Sequence, residues 1–213
     1  MPRALRSTAA FDSNVFINCP FDDAYAPILE ALVFCLVFVG LRPRLASESL
    51  DSGEVRLEKI IGLIENAKYS IHDLSRCQAV AAGEYARLNM PFELGVDHGC
   101  RLYGGNGRDQ KRILVLEEEP YRYQATISDL AGWDIRAHKD DHIRALKALR
   151  NWLSSETSTN PPAPGKIVNA YEDYQATTLE ALEAEGWTSP DLREMPISEK
   201  IERMREWCAS NPP

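Results

Sequence analysis

Apolar residues along the chain alternate between short uninterrupted runs and longer stretches with helical spacing. Asn14-Val15-Phe16-Ile17-Asn18 is a β-branched and aromatic run closed by Cys19-Pro20, the pattern of a buried strand that ends in a turn. Asp22 or Asp23 offers a cap for a helix with Pro27 in its first turn, and the apolar run then continues to Gly40 as terminator. Residues 41–46 read as a second strand. After Asp51-Ser52-Gly53, the residues Val55, Leu57, Ile60, Ile61, Leu63 and Ile64 recur at helical spacing, which predicts a helix packing one face on a sheet. A third strand over 69–74 precedes a polar, alanine-rich loop over 75–88. Asn89 as N-cap and Pro91 as first-turn proline then start a helix to about Leu102, ended by Gly104-Gly105-Asn106-Gly107. Residues 111–117 form a fourth strand with the unbroken apolar centre of a central parallel strand. A fifth, 134–136, leads into an amphipathic helix over about 140–153 with Ile143, Leu146, Leu149 and Leu153 on one stripe.

Strands alternating with helices predict an α/β fold, a doubly wound parallel sheet of about five strands with helices on both faces, spanning residues 11–157. Residues 158–165, Ser-Thr-Asn-Pro-Pro-Ala-Pro-Gly, can continue neither helix nor strand and read as a linker. Residues 166–213 read as a helical C-terminal appendage, with helical spacing over 171–185 and 197–207 around a turn at 186–190. Trp187 and Trp207 call for burial, and so short a segment has no core of its own, so the appendage is expected to dock on the α/β domain.

Composition changes the picture in a few places. A chain of 213 residues, 44 % hydrophobic and 26 % charged, can bury a core without disulfides or a structural metal. With 24 Lys+Arg against 32 Asp+Glu, the net charge of −8 leaves no basic footprint for duplex nucleic acid or anionic lipid. The five cysteines, Cys19, Cys35, Cys77, Cys100 and Cys208, are odd in number, lack a CxxC pair and have no histidine at zinc spacing. No metal site is expected, and a reducing cytoplasm is the expected compartment. The first ten residues lack the apolar core of a signal peptide, and the most apolar stretch, 28–39, is too short to span a bilayer and holds Glu30, so no membrane segment is expected.

In a doubly wound sheet the ligand crevice lies outside the carboxyl ends of the strands, where strand order reverses. That rule gathers Asn18, Cys19, Phe21 and Asp22 after the first strand, Ser52 after the second, Asp73 and Ser75 after the third, and the helix start at Asn89 with Glu93 in its first turn. Asn18, Phe21, Asp22, Ser52, Asp73, Ser75 and Asn89 are therefore the candidate substrate-binding residues, and Glu93 is the candidate catalytic group. A first-turn glutamate is favoured in its ionised form by the helix dipole, and serves either as a capping acid or as a catalytic carboxylate. Phe21 and Tyr25 offer rings that either stack on a base or fill the core. His72 and His98 flank acidic neighbours at no metal spacing and read as structural. Cys19 reads as inert, and the Gly104–Gly107 cluster follows a helix, so it is a turn rather than a phosphate loop.

The order and spacing of these segments resemble the TIR domain superfamily, especially its bacterial members. Ser13-Asn14-Val15-Phe16-Ile17-Asn18 followed by Asp22-Asp23 resembles the family's Val-Phe-Ile-Ser strand and acidic residue; Ser52-Gly53-Glu54 and the helix after it resemble its glycine turn; Ser70-Ile71-His72-Asp73-Leu74-Ser75 resembles its third strand. Glu93-Leu94 matches the Glu-Leu whose glutamate is catalytic in enzymatic members. The resemblance covers about residues 11–116. Two features depart from it: Met90-Pro91-Phe92 replaces the family's Trp-Cys pair, and the segment 77–87 is longer. Glu93-Leu94-Gly95 is similar instead to the helix start that supplies the nucleophilic glutamate of nucleoside deoxyribosyltransferases, although their upstream Asp-Gly-Thr is absent. Both families have flavodoxin-like folds and break N-glycosidic bonds.

The resemblance thus implies an N-glycosidase that cleaves the ribosyl–base bond of NAD or a related nucleotide at Glu93. NAD or the nucleotide enters as substrate and no further cofactor is implied. It also implies a role in bacterial antiviral defence, as a homo-oligomer or with a partner defence protein. The alternative is a catalytically silent nucleotide-sensing or protein-interaction module. Nicotinamide leaves NAD as a neutral base and needs no general acid, whereas an ordinary nucleoside needs one, for which Asp73 or Asp22 are the candidates.

Overall fold

The computed structural model describes residues 8–79, 81, 83 and 85–213; residues 1–7 of the N-terminal reading and 80, 82 and 84 of the loop lie outside them. In chain order the elements are α1 (Thr8–Ser13), β1 (Asn14–Asn18), α2 (Ala26–Phe38), β2 (Arg42–Arg44), α3 (Arg56–Glu65), β3 (Tyr69–Asp73), α4 (Asn89–Tyr103), β4 (Arg112–Glu117), β5 (Arg136–Ala137), α5 (His142–Glu156), α6 (Pro164–Ala184), α7 (Ser189–Glu194) and α8 (Ile197–Ser210). The strands form one sheet in the order β2-β1-β3-β4-β5, and every pair is parallel. This is the flavodoxin-like doubly wound arrangement, in which the strand order reverses between β1 and β3.

Both central strands are buried at all five positions, because helices cover both faces of the sheet. Side chains alternate across β1 accordingly. Val15 and Ile17 join the core under α2 and α5, whereas Phe16 packs with Ile60 and Ile64 of α3 on the opposite face. On that second face Met90 and Leu94 of α4 meet Leu74 and Val115. No helix among the described residues is long and apolar enough to cross a membrane.

The α2 helix is buried at ten of its thirteen positions, so it has to be covered on the side away from the sheet as well. The C-terminal helices supply that cover. Phe34 of α2 lies 5.3 Å from the Tyr171 ring, 5.2 Å from Tyr174 and 5.7 Å from Trp207, and stacks on Phe38 at 5.5 Å. Ile167, Tyr171, Tyr174, Ile201 and Met204 belong to the same apolar cluster as the strands. Arg150 of α5 donates to the carbonyls of Pro161 and Pro162 at 2.8 and 2.7 Å, which pins the proline-rich segment between α5 and α6. The tryptophans themselves are only half-buried, and Trp187 carries the Arg203 guanidinium over its ring at 5.5 Å.

Several element boundaries differ from those read off the sequence. β2 is three residues long because the chain turns at 46–48, where the Glu48 carboxylate accepts from the Leu45 amide and the Arg44 guanidinium. α2 begins after Tyr25 rather than at an aspartate cap; Asp22 instead accepts from the Tyr25 amide at 3.1 Å. α4 has Leu88 at its N-cap with no side-chain bond, so Asn89 is its first helical residue and not its cap. Glu93 consequently falls in the second turn. α6 starts at Pro164, the N-terminal position that suits a residue without an amide hydrogen, and takes in residues that read as linker. The 186–190 turn is cut short by α7, which starts at a Thr188–Asp191 capping box.

Truncating Phe34 to alanine removes the ring on which α2, α6 and α8 converge. The Phe34→Ala variant is expected to lose about 3–5 kcal/mol of stability in urea unfolding, with tryptophan emission shifted to the red in the folded baseline as Trp207 loses its neighbour.

Candidate functional site

β1 and β3 end side by side, with Asn18 in register with His72, and the residues just beyond them occupy the reversal point of the sheet. Asp73 is fully buried and accepts four hydrogen bonds. Its Oδ1 takes the Ser75 amide at 2.9 Å and the Ser75 hydroxyl, and its Oδ2 takes the Tyr25 hydroxyl at 2.7 Å and His138 Nε2 at 3.0 Å. Burial pushes the Asp73 carboxyl up, but the interaction with His138 and the hydrogen bonds from Ser75 outweigh it and hold the group below its ordinary value. Tyr25 is likewise buried, and desolvation together with Asp73 pushes its phenol well up, so it stays a neutral donor and its ring is core rather than a stacking face.

Ser75, His138 and Asp73 are the residue types of a hydrolase triad, but their protons are arranged differently. His138 Nδ1 accepts from the Asp140 amide at 3.1 Å, which assigns the ring proton to Nε2. The nitrogen 3.0 Å from the Ser75 hydroxyl is therefore a donor, and the hydroxyl gives its own proton to Asp73. No imidazole lone pair faces the serine, and the carboxylate that accepts its proton is saturated by other donors, so the cluster acts as a clamp on the loop after β3 rather than as a nucleophilic site.

Glu93 differs from every other acid in this region. It is 6 % exposed, and among the described residues its carboxylate has neither a hydrogen bond nor an ion pair. Desolvation raises its pKa, and the Arg56 charge at the start of α3 draws it part of the way back. The expected first-turn dipole effect does not govern it, since that influence fades beyond the first turn. Cys19 is buried at the end of β1, and its thiol is pushed well up by burial and then by the charges of Asp73, Asp22 and Glu93, which leaves it unreactive.

The remaining sequence candidates divide into framework and surface. Asn18 is buried and donates from Nδ2 to the Met90 carbonyl at 2.9 Å and to His72 Nδ1 at 3.0 Å. Ser75 is buried in the Asp73 clamp. Asp22 pairs with Arg76 at 3.4 Å and Arg87 at 3.1 Å. Phe21, Ser52 and Asn89 are exposed, as are the rings and chains of Phe92, Leu88 and Val55. His72 is a structural histidine between Asn18 and Asp97, and His98 stacks edge-on against Trp133 at 5.0 Å. Nothing in the local pattern marked His138, Asp97 or Lys111, each wholly buried, because their partners lie far away in the chain. Among the described residues no three His, Cys, Asp or Glu side chains converge to hold a metal ion. A cleft of about 790 Å³ opens elsewhere, along β2 and α3 past Asn14, Arg42, Glu48 and Lys59, and Glu93 does not line it.

The lowered Asp73 pKa sets a direction for acid stability. A carboxylate that titrates lower in the folded than in the unfolded chain stabilises the fold above its unfolded pKa of about 3.9, and that contribution is lost as pH falls through the folded value. Urea unfolding followed downwards from neutral pH should show stability falling below about pH 4. Asp73→Asn, which turns an acceptor into a donor among four donors, should lose about 3–5 kcal/mol at neutral pH and flatten that acid limb.

Compared with known proteins, the chain matches no family model, no curated sequence and no solved structure.

Proposed function

We propose that the protein is an N-glycosidase that cleaves the ribosyl–base bond of NAD or a related nucleotide, with Glu93 as its catalytic carboxylate. The observation that carries this reading is the unpartnered, nearly buried Glu93 carboxylate beside the carboxyl ends of β1 and β3. Breaking a ribosyl C–N bond builds positive charge on the sugar, and a carboxylate already partly desolvated stabilises or captures that charge more strongly than a fully hydrated one. The same residue carries the resemblance to enzymatic TIR domains.

The clamp on Asp73 supports a substrate whose leaving base needs no proton. All its lone pairs are committed and its pKa is held low, which makes it a poor general acid, and Asp22 is engaged by Arg76 and Arg87. Nicotinamide meets that condition because it departs neutral from a cationic pyridinium. Exposed Phe21 and Phe92 offer faces for stacking, and Arg56 offers charge for the pyrophosphate. In this reading the enzyme works in the cytoplasm in bacterial antiviral defence, as a homo-oligomer or with a partner protein.

One observation favours the silent nucleotide-sensing or interaction module instead: Arg76, Arg87 and Arg122 at the rim are all paired with carboxylates, so few cations are free for phosphate. Incubating the protein with NAD and, separately, with neutral-base nucleosides distinguishes the two. The expected result is nicotinamide release from NAD alone. Glu93→Gln should lower that rate by about 10³-fold or more with an unchanged melting temperature, and full activity in the folded variant would overturn the assignment.

A further inference from the structure

A second fully buried polar cluster lies beneath α4, on the opposite side of β1 and β3 from the Asp73 clamp. Lys111, just before β4, is fully buried; its ammonium donates to the carbonyls of Ile64, at 2.8 Å, and Ala67, and approaches Asp97 Oδ1 at 3.1 Å. Asp97 Oδ2 lies 2.9 Å from His72 Nε2, and His72 Nδ1 lies 3.0 Å from Asn18 Nδ2, whose second proton reaches the Met90 carbonyl at 2.9 Å. His72 and Asp97 have no exposed surface, and Asn18 has 3 %.

The proton on each atom follows from the partners. The Asn18 amide nitrogen can only donate, so His72 Nδ1 accepts and Nε2 carries the ring proton that it gives to Asp97. Asp97 then accepts from His72 on one oxygen and faces the Lys111 charge with the other. The chain has one consistent arrangement from the amino end of the sheet to its carboxyl end. Phe16, packed edge-on against the His72 ring at 5.8 Å, keeps that ring from turning.

The chain meets α4 at two points, the Asp97 carboxylate and the Met90 carbonyl, and Glu93 sits between them. Met90 is three residues before it and Asp97 four after, which puts all three on one face of the helix. Leu88 at the N-cap makes no side-chain bond, so the helix start lacks the local device that would otherwise fix it. A buried ion pair of this kind adds little net stability compared with apolar packing, which leaves orientation as what it contributes.

We infer that Asn18 and His72 are positioning residues, and that the buried chain from Lys111 to the Met90 carbonyl sets where α4 begins and hence where the Glu93 carboxylate stands. This rests on the reading of Glu93 as the functional group, and it moves Asn18 from ligand contact to framework.

The test uses the full chain with Asn18→Leu, which keeps the branched heavy-atom skeleton and removes both donated hydrogen bonds. Asn18→Ser, whose hydroxyl is too short to bridge His72 and Met90, serves if the leucine variant does not fold. Two readouts are independent of activity. Amide exchange over residues 92–97 should quicken at least about tenfold while the β1, β3 and β4 amides stay protected, and the Glu93 side-chain carboxyl resonance should shift in carbon NMR. In NAD cleavage, kcat should fall at least about tenfold with KM within about twofold, and Asn18→Leu added to Glu93→Gln should cost nothing further. Unchanged exchange and an unmoved Glu93 resonance in a folded variant would overturn the inference. Should the wild-type protein leave NAD intact, the proposed activity fails on its own, and the exchange and resonance measurements still decide the positioning claim.

Discussion

The parallel pairing of β1 with β3, covered on both faces, obliges every polar side chain at the ends of those strands to find its partner inside the protein. Asn18, His72, Asp73 and Ser75 all stand there with almost no access to water. An unpaired buried polar group costs more than a hydrogen bond returns, so each of them demands a donor or acceptor from another element. Tyr25, His138, Asp97 and Lys111 meet those demands, and in doing so they tie the loop after β1, the segment after β5, α4 and the entry to β4 to the same two strand ends.

Against that background the solitary carboxylate of Glu93 is the exception. Asp73 and Asp97 are also desolvated, yet each is surrounded by donors and each is held below its ordinary pKa, whereas the pKa of Glu93 is raised. The fold thus keeps one acid available near the reversal of the sheet while saturating its neighbours. Such a group is costly for stability and belongs to the kind of local conflict that functional sites retain.

The C-terminal helices follow from a different demand of the same core. A helix as apolar all round as α2 cannot face water on its outer side, and α6 and α8 close that side with Tyr171, Tyr174 and Trp207 against Phe34 and Phe38. The appendage therefore completes the α/β core rather than adding a second one, and Arg150 secures the proline-rich passage to it through the carbonyls that prolines leave free.

Fold class was legible in the sequence because period and polarity are properties of neighbouring residues. The uninterrupted runs at 14–18 and 111–117 and the helical stripe at Ile143, Leu146, Leu149 and Leu153 identify buried strands and a one-sided helix wherever they occur. That Asn18, Asp73, Ser75 and the α4 start gather outside the carboxyl ends of β1 and β3 followed from topology. Other features were decided only in three dimensions. Asn89 carries a good capping side chain, but α4 starts one residue earlier than that cap allows, and the Asn18 bond to Met90 lies at that start. Asp73 read as a candidate ligand contact and stands in a clamp completed by His138, 65 residues further on. A hydrogen bond of that span depends on how β4 and β5 pair and how the chain returns, and no local pattern encodes it. The sequence by itself determined which segments become strands and helices and where their carboxyl ends gather; the tertiary structure decided which of the polar residues gathered there are bound into the framework, which lie on the surface, and that Glu93 is buried among the described residues without a partner.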